Sequence, residues 1–315
     1  MHFHWVSVVF ILFCSINISL SEVAHWNYAD IGPDVWEDSY PICARTIQSP
    51  INILTACTVY NEFPTFQFSP DTNVTQNFTV TNNGHTITAL QIDSTAFPLT
   101  LSGGGLNGTF QFVNLHFHWG ENYKSGSEHQ INGEKYAGEI HFVYLNPANN
   151  LYAVLGIFFQ SIKSNSTSSE SSGHTRKKRL TKREINSTNN EASAPWDSYL
   201  ATADDLNHTN DSVVISLQLS TLMNTDFSKF YRYSGSLTTP PCSESVIWSV
   251  FQTPIQLRDD ELEIFRLNIF SENYRSTQPL NGRTVYRSFQ NDTSPSAYLY
   301  TCCTQTGGKN SLNKT

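Results

Sequence analysis

Aromatic content, short alternating runs and a scarcity of helical periodicity predict a mainly β single domain. Aromatic residues make up 13% of the chain and charged residues only 15%, a balance that suits packed, pleated surfaces better than long solvated helices. Alternating or apolar runs recur between turn signals at 77–80, 85–92, 110–119, 139–145, 151–160, 212–219 and 245–253, and each reads as a strand. The best helical stretch is 258–270, where Leu262, Ile264, Phe265 and Leu267 form an apolar stripe behind Asp259 and Asp260. With 315 residues, 39% of them hydrophobic, the chain can bury a large core. Its 19 basic and 27 acidic residues give a net charge of -8. No basic face is left to neutralise a nucleic-acid backbone, so nucleic acid is excluded as a partner.

Taken in order, residues 1–21 read as a secretory signal. The apolar run Val6 to Cys14 is too short to span a bilayer, and Ser19 and Ser21 supply the small residues that precede a cleavage site. No later stretch approaches twenty apolar residues, and residues 304–315 lack the hydrophobic tail of a lipid-anchor signal, so no membrane anchor is expected. Nine N-x-[S/T] triplets, at Asn73, Asn77, Asn107, Asn165, Asn186, Asn207, Asn210, Asn291 and Asn313, fit the same compartment and mark surface positions wherever they carry glycan. Removing Cys14 with the leader leaves Cys43, Cys57, Cys242, Cys302 and Cys303, an odd count that implies a free thiol or an intermolecular disulfide.

Residues 22–290 read as the domain, interrupted at 163–194 by a polar insertion without apolar periodicity, which reads as a disordered loop; 291–315 is a tail. Arg176-Lys177-Lys178-Arg179, with Lys182 and Arg183, concentrates six of the basic residues inside the insertion. A processing-protease site and a solvated charged loop are both compatible with it.

Candidate chemistry begins at Leu115-His116-Phe117-His118-Trp119-Gly120. Residues two apart on a strand share a face, so His116 and His118 present two imidazoles side by side. The run Glu139-Ile140-His141-Phe142-Val143 offers a third imidazole on another strand, with Glu139 on the same face. Three neutral imidazoles leave the fourth position of a zinc ion open, the pattern of a catalytic rather than a structural site. A ligating imidazole usually donates its other N–H to an acceptor. Glu139 fits that role for His141 and Asn114 for His116.

Beyond the histidines, the chain resembles the α-class carbonic anhydrases across nearly all of residues 22–290. The resemblance runs through His25-Trp26-Asn27-Tyr28, Gln48-Ser49-Pro50-Ile51-Asn52-Ile53, Asn82-Asn83-Gly84-His85, the HFHWG run, Gly126-Ser127-Glu128-His129, residues 139–146 and 153–158, Gly235-Ser236-Leu237-Thr238-Thr239-Pro240-Pro241, and Gln278-Pro279-Leu280 before Arg283. It implies a large, twisted, mostly antiparallel central sheet with short peripheral helices. It also implies that His116, His118 and His141 hold Zn2+, and that zinc-bound hydroxide attacks carbon dioxide to give bicarbonate and a proton. By the same resemblance Thr238 and Glu128 orient the hydroxide, and Val143, Val154, Leu237 and Trp248 line the carbon dioxide pocket. Thr239 then touches bicarbonate, His85 shuttles the proton, and Tyr28 and Asn83 order the intervening water. Asn114 stands where the family commonly has the longer Gln, which predicts a longer or water-relayed bond to His116. Cys43 and Cys242 match the disulfide of extracellular members.

Two other classes remain open at this level. A silent binding module of the same family would show a replaced zinc histidine, and all three are present. A glycosylated matrix or mineral-associated protein with secondary or lost catalysis would draw instead on the sequons, the acidic surface and the odd cysteine.

Overall fold

The computed structural model describes residues 25–71, 73–162, 196–258, 262–263, 266 and 272–290. Among the described residues fourteen strands follow one another: β1 (Asn52–Ile53), β2 (Val59–Tyr60), β3 (Gln67–Ser69), β4 (Gln76–Asn82), β5 (Ile87–Gln91), β6 (Thr100–Ser102), β7 (Phe110–Trp119), β8 (Gln130–Ile131), β9 (Gly138–Asn146), β10 (Leu151–Ile162), β11 (Ser212–Leu217), β12 (Phe230–Gly235), β13 (Val246–Arg258) and β14 (Tyr286–Arg287). Among the described residues, complete one-turn helices are α1 (Trp36–Ser39), α2 (Asp197–Leu200) and α3 (Leu219–Leu222).

Twelve strands form one sheet, ordered β11-β4-β5-β7-β9-β10-β13-β12-β14-β2, with β6 bridging β7 to β3; β1 and β8 make a separate parallel pair. Within the large sheet only β10–β13 and β14–β2 run parallel. The expected mostly antiparallel sheet with short helices is therefore what the chain builds. All seven expected strands form, while the short edge strands and β12 carry too few alternating residues to stand out in the sequence. The helix expected over 258–270 starts later than predicted. Arg258 closes β13, held by the parallel ladder to Ile162, and only Leu262, Glu263 and Arg266 are described as helical beyond it. The insertion at 163–194, its basic run, the tail 291–315 and the leader 1–21 lie outside the described residues.

Alternation divides the core between the two faces of the sheet. On one face Ile140, Phe142 and Tyr144 of β9 pack with Ala153, Leu155 and Ile157 of β10; on the other, Val143, Val154, Phe158, Val246, Trp248 and Val250 pack together. Each such large apolar side chain contributes roughly 1.5–3 kcal/mol on burial. Trp196 and Tyr199, where the chain re-enters after the insertion, pack on Phe117 at ring distances of 5.1 and 4.9 Å. They cover the back of the strand whose other face carries His116 and His118.

A register shift in β7 between Phe112 and Asn114 is essential to that division. Phe110 and Phe112 face the first core before it, and Leu115, Phe117 and Trp119 face the same core after it. Two even positions and three odd ones can share a face only because the bulge inserts one extra residue. Its effect is to place Asn114, His116 and His118 together on the second face.

Candidate metal centre

Register then completes what the sequence spacing begins. His116 lies directly opposite His141 across the β7–β9 ladder, and His118 opposite Glu139. Opposed residues of antiparallel strands point to the same face, so all four side chains converge. The ligand-capable atoms of His116, His118 and His141 all lie within 4.8 Å of one another.

Each imidazole is turned by an acceptor on its far side. His116 Nδ1 lies 2.8 Å from Asn114 Oδ1, His118 Nδ1 is 2.7 Å from the Asn273 carbonyl, and His141 Nε2 is 3.0 Å from Glu139 Oε1. An acceptor partner assigns the ring proton to the bonded nitrogen. The lone pairs of His116 Nε2, His118 Nε2 and His141 Nδ1 are left facing inward. Burial, reinforced by its neighbours His118 and His141, holds His116 well below the usual imidazole range, and burial lowers His118 despite Glu128 nearby. Neutral rings are the form a metal needs.

His118 Nε2 is buried and has no hydrogen-bond partner. An orphaned donor atom among three convergent lone pairs fits a metal ion, and nitrogen donors in a three-imidazole set suit zinc. Asn114 needs no water relay: its shorter side chain reaches His116 directly, because both project from one face of β7 two residues apart.

Four groups of this site have no role in the sequence reading. Asn273 supplies a backbone carbonyl, which has no side-chain signature, while its own amide bonds Phe117 O and its Oδ1 accepts from Trp119 N. His129 donates from Nδ1 to Glu139 Oε1 at 2.7 Å, so Glu139 holds two histidines at once. The other nitrogen of His129 is 2.6 Å from the Tyr233 hydroxyl, itself 2.8 Å from Ser49 Oγ. Burial works to raise the Glu139 pKa, but His129 and His141 outweigh it and hold the carboxyl well below the usual range. Gly156, opposite His141 on β10, leaves the space that Glu139 Oε1 occupies. Arg275 gives its backbone N–H to Glu128 Oε1 at 2.8 Å and its guanidinium to Gln48 Oε1 and the Ser49 and Cys43 carbonyls. Of these, His129 and Gly156 lie within runs that carry the resemblance, 126–129 and 153–158.

Glu128 Oε2 is buried, lacks a hydrogen-bond partner, and faces His118 Nε2 at 3.5 Å and His141 Nδ1 at 3.9 Å. The Thr238 hydroxyl expected on that oxygen is not bonded to it here; Thr238 itself is buried. Leu237, Val143, Val154 and Trp248 belong to one apolar cluster, and the Trp248 ring lies 4.8 Å from that of His141.

One cavity is lined by His116, His118, Asn114, Thr239, Tyr28, Asn83 and His85, which brings the expected shuttle residue to the same opening as two of the expected ligands. His85 is half-buried and stacks on Trp26 with ring centres 3.6 Å apart. Burial and then His25 lower its pKa. Asn83 Oδ1 accepts from the backbone of His85 and Thr86. Burial, aided by Glu128, raises the Tyr28 hydroxyl far above its usual range, so it stays protonated. Cys43 and Cys242 form a disulfide across 199 residues of sequence, packed on Trp36 beside Trp26 and Tyr28.

The sheet and its histidine cluster define a class of protein in which three imidazoles on one face of a β-sheet could hold a metal ion beside an apolar cluster. A family model described as eukaryotic-type carbonic anhydrase matches residues 31–289. The chain is 31% identical to mouse (Mus musculus) carbonic anhydrase 7 over 84% of its own length and 97% of the relative's. It is 30% identical to rabbit (Oryctolagus cuniculus) carbonic anhydrase 4 over 85% of both, and 31% identical to putative carbonic anhydrase 3 of Caenorhabditis elegans over 83% and 96%. The chain belongs to the eukaryotic-type carbonic anhydrases, and its activity is that of the family, hydration of carbon dioxide.

Proposed function

We propose that this chain carries out reversible hydration of carbon dioxide at a single zinc ion held by His116 Nε2, His118 Nε2 and His141 Nδ1. The observation that carries the reading is the convergence of three imidazoles within 4.8 Å, each with its other nitrogen fixed on an acceptor. Carbonic anhydrases are the standard example of a zinc dication making water a nucleophile near neutral pH, and that is the chemistry the ion supplies when bound.

The surrounding side chains orient and exclude. The resemblance supports an orienting role for Thr238 and Glu128, although here Glu128 Oε1 is taken by the Arg275 amide and Oε2 faces His118 Nε2 at 3.5 Å rather than the Thr238 hydroxyl. A Thr238 hydroxyl that gave its proton to Glu128 would be left as an acceptor only toward the reacting water. Val143, Val154, Leu237 and Trp248 offer an apolar wall to an apolar substrate, and Thr239 at the cavity receives the anionic product. His85, uncharged at neutral pH because its pKa is lowered, accepts the proton to be released and carries it to solvent, with Tyr28 and Asn83 ordering water between.

Residues 22–290 form the catalytic domain, with the 163–194 insertion and the tail outside it. The protein works outside the cell, a placement supported by the leader, the sequons and the disulfide. Asn73, Asn77, Asn107 and Asn210 are exposed for glycan attachment, whereas Asn207 is half-buried. The test is metal analysis and stopped-flow hydration on secreted protein, with and without an aromatic sulfonamide. One zinc per chain and sulfonamide-blocked turnover are expected; zinc-free, inactive protein refutes the reading.

A further inference from the structure

We infer that Lys135 is a positioning residue: its ammonium, set on the face of the Tyr274 ring, holds in place the segment that orients His118 and Glu128. Lys135 Nζ lies 3.4 Å from the centre of that ring. The consequence for metal binding rests on the zinc reading above, whereas the contact itself joins two parts of this chain whatever the site holds.

Residues 272–280 form neither helix nor strand. Yet this segment supplies two groups that shape the site: the Asn273 carbonyl, 2.7 Å from His118 Nδ1, and the Arg275 amide, 2.8 Å from Glu128 Oε1. A segment outside a hydrogen-bonded ladder keeps its place through side-chain anchors and single backbone bonds, and it opens locally where these are few. On the inner side the anchors are buried. The Asn273 side chain bonds the Phe117 carbonyl and the Trp119 amide, and the Arg275 guanidinium bonds Gln48 and the carbonyls of Ser49 and Cys43. Tyr274 stands between them, only partly buried, and Lys135 presses on its ring.

The lysine is delivered by a stiff loop. Ile131 and Glu134 exchange backbone bonds across Asn132 and Gly133, which take positive φ of 53 and 86°. Beyond Lys135, the Tyr136 carbonyl accepts from the amides of Gly126 and Ser127, and the Tyr136 amide donates to Ser127 Oγ. One loop thus carries Glu128, His129 and Lys135, and the lysine ties it to the segment bearing Asn273 and Arg275. Burial works against the Lys135 charge, while Glu128, Glu139 and Glu272 favour it. A cation kept over an aromatic face in a partly desolvated setting shifts a local equilibrium by about two- to thirty-fold. The Asn273 carbonyl fixes the His118 proton on Nδ1 and so turns the Nε2 lone pair inward; a segment free to drift gives up that control.

Hydrogen exchange on the full secreted chain, with and without metal, reads the clamp, and chelator competition for zinc reads its consequence. Lys135→Met and Tyr274→Leu should each exchange the Arg275 amide about ten-fold faster and bind zinc about ten-fold more weakly, with the amides of β4 unchanged. Lys135→Arg and Tyr274→Phe keep a cation on a ring and should stay within about two-fold of the parent in both measurements. Combining Lys135→Met with Tyr274→Leu should add little to either change alone, because both remove one contact. Unchanged Arg275 exchange in the Met and Leu variants overturns the inference. So does faster exchange spread equally over β4, which marks general destabilisation, or a loss in Lys135→Arg as large as in Lys135→Met. Faster Arg275 exchange with unaltered zinc affinity overturns the positioning of His118. A parent chain that binds no zinc refutes the zinc reading instead, and the Arg275 exchange then decides the clamp by itself.

Discussion

Replacing Gly156 with Ala places a methyl group 2.8 Å from Glu139 Oε1, while the next nearest atoms, on Trp248 and Val250, stand at ordinary contact distances of 3.6 and 3.7 Å. The clash is therefore confined to the one oxygen that bonds both His129 and His141. Normal contact begins near 3.4 Å, so Oε1 must retreat by about 0.6 Å. Its bonds of 2.7 and 3.0 Å cannot both absorb that within hydrogen-bonding range. Oε2 offers no slack, being held by the amides of Glu128 and His129 at 3.1 and 2.8 Å. Losing one bond to a buried charged group costs about 1.5–3 kcal/mol, a melting shift of roughly 3–12 °C in a domain of this size. Weakening an acceptor behind a ligating histidine lowers metal affinity by ~10–100-fold. Chelator competition for zinc and a thermal melt measure both. In a Glu139→Gln background the same substitution should add little, because the two changes act on one bond. An alanine variant with zinc affinity within two-fold of the parent and an unshifted melt refutes the reasoning that packing at Gly156 holds the carboxylate in place.

Four further outcomes are expected. His141→Ala should lose bound zinc and most hydration activity; full occupancy with near-normal turnover overturns the ligand assignment. His85 should titrate by NMR below the ordinary imidazole value of about 6.5, and His85→Ala should slow turnover in dilute buffer with recovery in imidazole buffers; a titration above that value, or no rescue, assigns the proton to another route. Cys43→Ser, opening a loop of 199 residues, should lower stability by about 2–5 kcal/mol in a denaturant titration, and an unchanged midpoint shows that the bridge anchors nothing. Deleting residues 163–194 should leave hydration activity intact, since β10 ends at Ile162 and the core contacts resume at Trp196; an unfolded product places the insertion inside the core.

The sequence by itself determined seven strands of the central sheet and the three imidazoles. Both rest on period two: side chains alternate along a strand whatever surrounds it, so H-x-H and E-x-H each declare a shared face before any fold is known. Tertiary structure decided the rest. Nothing in the spacing of His116 and His141 sets them opposite each other; the β7–β9 register does, and the bulge between Phe112 and Asn114 reverses the alternation that a simple reading extends through Phe112. The Asn273 carbonyl reaches His118 from 155 residues away, and Gly156 matters only because Glu139 fills the space beside it. Thr238 and Glu128 show the same divide. Resemblance pairs them, yet the carboxylate oxygen meant for the hydroxyl faces the imidazoles of His118 and His141, as charge and proximity within the folded site dictate. Local periodicity is written in neighbouring residues, whereas acceptors, empty space and register arise where distant segments meet, and no single segment encodes them.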